Sequence, residues 1–406
     1  CITIVFQRHP DVAIARATAA SARASAREQA SQRYPQLTAG WNVRHTKSLG
    51  RPVDIGGGVI QSTGGRSTQR NAEVSLNYTL YETGRNTRIA RAKTSAHASE
   101  HAITDTRRQL AYEVTGAYYD LLAARRYAKV AMRAVANAQR HLQLVQERIN
   151  AGVVPRADIL PVNVEVAEAR LDAVRAETDI KVATAALRAL LALPPATTFS
   201  LADTLPEHDA PPQLPDLMAI AAEQRPDLAQ QQLRVRAAAL GLKATQADAG
   251  LTWDATASAD YGRHTGTTGE SWQLSLGAQY PLFDAGATSA RVTIARADAQ
   301  SAQLRLDALQ LDIQRQVEQA FHRTRQATAA IDAATTALQY AHSSLAAAEA
   351  KYAEGLAIII EVTDAQLALL RAELAEIQAR YDHAIAHAAL DNATANNLPP
   401  PAGDEQ

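Results

Sequence analysis

Two periodicities divide the chain. Four short segments alternate apolar and polar residues, the signature of strands with one apolar and one polar face. Over 37–47, Leu37, Ala39, Trp41 and Val43 take one face, and Thr38, Gly40 and Asn42 the other. Over 71–80 the apolar set is Ala72, Val74, Leu76, Tyr78 and Leu80. Over 251–262, Leu251, Trp253, Ala255, Ala257, Ala259 and Tyr261 alternate with Thr252, Asp254, Thr256, Ser258, Asp260 and Gly262. Over 271–280 the apolar set is Trp272, Leu274, Leu276, Ala278 and Tyr280. Polar, Gly-rich stretches at 47–70 and 263–271 read as the loops inside each pair. Segments of about 8–11 residues have the reach of a tilted strand across a bilayer.

The remainder reads as helix. Residues 287–354 hold no Pro and no Gly over 68 positions, a helix of roughly 100 Å at its usual rise. Ala327, Ile331, Ala334, Leu338, Ala341, Leu345, Ala348 and Tyr352 recur at spacings of four and three, a heptad seam. Ala128, Ala131, Val135, Ala138, Leu142, Val145 and Ile149 form another in the first half. Each long helix meets a glycine, Gly152 or Gly355, and a second helix follows at about 155–192 or 358–395. The expected element is an antiparallel helical hairpin, with turns at 150–155 and 353–358. A helix precedes each strand pair, roughly at 2–33 and 216–248.

The halves match in order. "RHPDVAIARA" (8–17) resembles "QRPDLAQQQL" (224–233), "YTLYETG" (78–84) resembles "YPLFDAG" (280–286), and "NAGVVPRADIL" (150–160) resembles "AEGLAIIIEVT" (353–363). The offsets are 216, 202 and 203 residues, so the chain is a duplication. The repeats span 1–193 and 216–396. A Pro-rich linker occupies 194–215, and 397–406 is expected to be a disordered tail.

Composition narrows the classes. Lys and Arg number 41 against 42 Asp and Glu, which excludes strong attraction to nucleic acid. Apolar residues make 47% but aromatics only 5%, a profile of close-packed helices. Cys1, the only cysteine, excludes an intrachain disulfide and a Cys-based metal cluster. No run of about 18 apolar residues is present to form a membrane helix. The chain opens without Met, inside a helical pattern, and reads as N-terminally incomplete with no signal peptide. That placement inside a helix speaks against lipidation of Cys1.

The duplicated order of helix, strand pair, long helix and return helix resembles the TolC family of outer-membrane channel proteins. "HPDVAIARA", "RPDLAQQQ", "YTLYETGR", "YPLFDAGA", "LLALPP" and "YAEGLAIIIEVTDAQ" carry the resemblance, which covers nearly the whole chain. It implies a mixed α and β fold: an α-barrel of long helical hairpins, and four membrane strands per chain forming a shared twelve-stranded β-barrel in a homotrimer. The implied function is the outer-membrane exit duct of a tripartite efflux pump or type I secretion system. The implied partners are outer-membrane lipid, a periplasmic adaptor (membrane fusion) protein and, through it, an inner-membrane RND, ABC or MFS transporter. No cofactor, enzymatic activity or nucleic-acid partner is implied. Trp41, Trp253, Trp272 and Tyr280 would form a lipid-facing aromatic belt. Gly152, Val153, Gly355 and Leu356 would be the adaptor-docking tips. Glu361 and Asp364 would narrow the periplasmic gate, with Asp158 and Tyr352 at positions that link hairpins. Ala357 stands where the family often has a basic gate residue, and Ile358 to Ile360 replace a more polar stretch.

Two other readings compete. A helical scaffold with a soluble β cap has no need of four alternating segments of membrane-spanning length, three of them bearing Trp. A zinc hydrolase would rest on "HASEH" (97–101), two His at i,i+4, with His383 and His387 a second such pair. Both are ordinary on solvated helix faces.

Overall fold

The computed structural model describes residues 1–47, 52–54, 59–61, 65–202, 205, 211–264 and 267–396. The tail read over 397–406 lies outside the described residues, as do 48–51, 55–58, 62–64 and 265–266 of the strand-joining loops. Eight α-helices are described: α1 (Ile2–Arg8), α2 (Pro10–Ser31), α3 (Arg85–Asn150), α4 (Ile159–Leu190), α5 (Leu214–Gln224), α6 (Pro226–Ala247), α7 (Ala287–Ala353) and α8 (Ile359–Thr394). The strands are β1 (Gln36–Lys47), β2 (Pro52–Asp54), β3 (Val59–Gln61), β4 (Arg66–Glu82), β5 (Thr252–His264) and β6 (Thr267–Gln279). None of the described helices is long and apolar enough to cross a membrane.

The helix expected over 2–33 is two helices, and so is that expected over 216–248. The breaks fall at His9 and Arg225, each extended (ψ 131° and 119°) and each followed by proline. A proline ring clashes with an α conformation at the preceding residue and suits the first position of a new helix. Both "PD" motifs therefore mark helix starts. Within the expected loop over 47–70, β2 and β3 pair with each other, and β4 begins at Arg66.

The chain forms two compact units. One comprises Ala19–Ala98 and Gln231–Arg305 and contains a four-stranded antiparallel sheet in the order β1-β4-β5-β6. Each repeat contributes two strands, and the repeats join at β4–β5, where Ala72 faces Tyr261 and Leu76 faces Ala257. β1 and β6 are its edges.

The other unit comprises Cys1–Thr18, Ser99–Gln230 and Leu306–Gln406. Between Ala327 and Tyr352, every position of α7 that is not exposed belongs to the expected seam. In the first repeat an aliphatic cluster, Val5, Val12, Leu110, Val114, Leu121, Leu187 and Leu191, joins α1–α4. The second repeat uses ions instead. Arg225, 2% exposed, donates to both oxygens of Asp227 (3.0 and 2.6 Å), to Gln316 Oε1 (2.9 Å) and to the Ala393 carbonyl (3.0 Å). Arg108 donates to Asn392 O and Oδ1, both at 2.7 Å. Two guanidiniums, one from each repeat, thus reach carbonyls at the negative end of α8.

Candidate functional site

Ladder partners in an antiparallel sheet share a face. One face of this sheet carries Leu37, Ala39 and Trp41 of β1, then Ala72, Val74, Leu76 and Tyr78 of β4. It continues through Trp253, Ala255, Ala257, Ala259 and Tyr261 of β5 to Trp272, Leu274, Leu276 and Ala278 of β6. The opposite face carries Thr38, Asn42, Glu73, Ser75, Asn77, Asp254, Thr256, Ser258, Asp260, Gln273 and Ser275. Hydroxyls pair across it, Thr38 with Ser75 at 2.7 Å, and Thr79 donates to Asp254 at 2.7 Å. The apolar face has no layer packed over Trp41 or Trp272, 75% and 81% exposed.

Leu80 departs from the alternation. A bulge between Thr79 and Tyr81 removes it from the ladder and sets Tyr81 opposite Trp253. Arg85 holds the bulge by donating to the Thr79 carbonyl at 2.5 Å and the Leu80 carbonyl at 3.2 Å. The register also sorts the aromatics into two rows. Trp41, Tyr261 and Trp272 lie toward one end, Tyr81 and Trp253 toward the other, and Tyr280 follows one residue past β6. Eight residues separate Trp253 from Tyr261, about 27 Å of strand. A tilt of about 40° reduces that to roughly 20 Å of height, near that of the apolar band of a membrane barrel.

The helical turns have one geometry. Gly152 (φ 73°) and Gly355 (φ 75°) take the left-handed conformation that ends a helix at little cost only with glycine. Val153 N–H donates to the Arg148 carbonyl at 3.0 Å, and Leu356 N–H to the Lys351 carbonyl at 2.8 Å. Val153 and Leu356 project into solvent, 70% and 74% exposed. Of the three isoleucines, Ile359 is buried, whereas Ile358 and Ile360 are exposed.

A cluster joins the ends of the two hairpins: Val145 and Val162 pack with Tyr352, Ile359 and Val362, and Ala357 packs against them. Arg148 crosses this junction. Its guanidinium lies 4.3 Å from the centre of the Tyr352 ring and donates to the Tyr352 carbonyl at 3.2 Å. The Tyr352 hydroxyl is buried without a hydrogen-bond partner. Asp158, at the start of α4, is half-buried and caps no backbone N–H there with its side chain. Glu361 and Asp364 sit on the exposed side of α8, while Val362 and Ala365 between and beside them are buried.

The pattern marks Arg148 only by its place one residue before the seam position Ile149. A second unforeseen contact ties hairpin one: buried His141 meets Glu165 through Nδ1 at 3.0 Å. His97 and His101 are both exposed, and the rings of His383 and His387 stack edge to face with centroids 4.6 Å apart. Among the described residues no three His, Cys, Asp or Glu side chains converge as a metal site.

The family model for outer membrane efflux proteins matches residues 2–193 and 217–396. The chain belongs to the outer membrane efflux protein family. It is similar to the outer membrane efflux protein BepC of Brucella suis, with 26% identity over 371 residues, covering 87% of this chain and 79% of that one. It is also similar to the protein CyaE of Bordetella pertussis, with 27% identity over 357 residues, covering 82% and 73%. Its fold matches that of the Campylobacter jejuni CmeC outer membrane channel (TM-score 0.84, 15% identity, 97% of this chain and 84% of that one). This efflux-family chain is an outer-membrane exit duct for efflux or secretion, with its helical part in the periplasm. Family and fold are those of channels rather than enzymes.

Proposed function

We propose that three copies of this chain close a shared twelve-stranded barrel and that substrate leaves through it after an adaptor docks on the helical turns. The observation that carries the reading is a sheet with one apolar face, one polar face and two unpaired edges. Lipid cannot satisfy open backbone groups, so a spanning sheet has to close. Four strands are too few, since the smallest membrane barrels have about eight. Joining β6 of one copy to β1 of the next supplies the missing strands. The apolar face then meets lipid, with Trp41 and Trp272 at one boundary and Trp253 and Tyr280 at the other, and the polar face lines the lumen. Exposed apolar residues on α4 at heptad spacing, Leu160, Val164, Leu171 and Val174, support helix contacts between copies.

Gly152, Val153, Gly355 and Leu356 form the docking tips, where a periplasmic adaptor covers the exposed Val153, Leu356 and Ile358. Through that adaptor the duct serves an inner-membrane transporter, which supplies the energy. Glu361 and Asp364 line the constriction, six carboxylates in a trimer, favouring cations and repelling anions. Arg148 takes the part of the basic residue missing at Ala357, holding Tyr352 from the first hairpin. Hydrogen exchange on the assembled protein in detergent tests the barrel. The amides of β1 and β6 are expected to be protected as well as those of β4 and β5. Fast exchange along either edge, in a particle of trimer mass, contradicts the shared barrel.

A further inference from the structure

The apolar face changes character beyond the row of Trp41, Tyr261 and Trp272, at the end of the sheet where β1 finishes and β4 begins. The positions that continue this face are Val43, His45 and Lys47 on β1, and Arg70, Thr68 and Arg66 on β4. All six are exposed. Lys47 stands directly opposite Arg66, and Arg70 lies four residues further along β4, opposite Val43. Like charges placed directly across a sheet destabilise it. Here Lys47 and Arg66 are such a pair, and Arg70 follows on the same face of β4. No ion pair offsets Lys47, Arg66 or Arg70 among the described residues. Glu270 is the one carboxylate on this part of the face among the described residues, and it sits level with Tyr261 on the far strand.

Repulsion of this kind is relieved by an anion held between the cations. The basic positions continue the lipid-facing surface without a gap, so the anion has to lie at the level of lipid headgroups just above an aromatic row. They also lie at the strand ends remote from the helices, which in an outer-membrane duct with periplasmic helices is the outer leaflet.

We propose that Lys47, Arg66 and Arg70 form a binding site for the phosphate groups of a phosphorylated outer-leaflet glycolipid. Arg66 and Arg70 offer forked donors suited to phosphate oxygens, and Lys47 adds a point charge. The site rests on the lipid-facing assignment of the apolar face, but it makes a separate claim about headgroup chemistry.

The test is native mass spectrometry and thermal shift of the full-length protein in detergent, titrated with three probes. These are bisphosphorylated lipid A, the same lipid with its phosphates removed, and inorganic phosphate. The expected result is retention and stabilisation by the phosphorylated lipid only. At about 1 kcal/mol for each basic residue near an anionic lipid surface, Lys47→Gln/Arg66→Gln/Arg70→Gln is expected to bind it about 100-fold more weakly. Lys47→Arg/Arg66→Lys/Arg70→Lys keeps the charges and is expected to retain most of the binding. Arg44→Gln, on the polar face, is expected to change nothing. Equal binding of phosphate-free lipid A overturns the proposal using the wild-type protein alone. So does lipid binding unaltered in the triple Gln variant, or inorganic phosphate displacing the lipid as a free-anion site would allow. If the protein conducts normally yet fails these arms, only this inference falls. If it neither conducts nor binds any lipid, the barrel reading falls with it.

Discussion

Arg148 and Tyr352 bind the two hairpins to each other across their ends, guanidinium over ring at 4.3 Å and N–H to carbonyl at 3.2 Å. Each side comes from a different repeat, so the contact reports whether the ends are together. A cation–π contact contributes about 0.5–2 kcal/mol, which corresponds to about 2- to 30-fold in a two-state population. Arg148→Ala is expected to raise the frequency of wide openings in single-channel records by a factor in that range. Records identical to wild type contradict a holding role for Arg148.

Glu361 and Asp364 share the exposed side of α8 near its start. Neutralising both, as Glu361→Gln/Asp364→Asn, is expected to lower the preference for cations over anions, measured as reversal potential in a salt gradient. Equal selectivity of variant and wild type removes them from the constriction.

The turns separate strain from recognition. A Cβ on Gly355 meets nothing within 4 Å, so Gly355→Ala is expected to cost only the left-handed conformation, about 1 kcal/mol, seen as a lower melting temperature. Leu356→Asp leaves the turn backbone intact at an exposed position. It is expected to keep the melting temperature and lose adaptor capture and export. Normal export by Leu356→Asp contradicts docking at this tip.

Alternation and seams were readable because each is local: strands, hairpins and the glycine turns follow from spacing along one segment. What pairing decides was not. The two aromatic rows appear only once the register sets Trp41 and Tyr261 at one level and Tyr81 with Trp253 at the other. Leu80 fits the apolar alternation of its segment, and the bulge that takes it out of the ladder is held by Arg85, five residues on. The helices expected to run through His9 and Arg225 break there, at the residues before Pro10 and Pro226. Arg148 and His141 gain Tyr352 and Glu165 as partners only through tertiary packing, from 204 and 24 residues away.

Asp227 sets an acid limit. Burial alone raises its carboxyl, but the hydrogen bond and charge of Arg225, with help from Arg108 and the Leu228 N–H, outweigh burial and hold it below the usual carboxylate range. A lowered folded-state value means the stabilisation is present above the ordinary carboxylate pKa and is lost as pH falls through the folded value. Asp227→Asn leaves Arg225 charged and buried, with about 3 kcal/mol or more lost at neutral pH. Its stability is expected to vary less with pH on the acid side. An acid limb as steep as that of wild type, measured by denaturant titration at several pH values, contradicts this account.

In the proposed assembly, a four-stranded sheet with one apolar face becomes a conducting barrel by joining copies of itself. Planar-bilayer recording of the purified full-length protein tests it most directly. Discrete, uniform conductance steps from particles of trimer mass are the predicted result. Well-folded protein that inserts into the bilayer and produces no steps contradicts a barrel shared between copies.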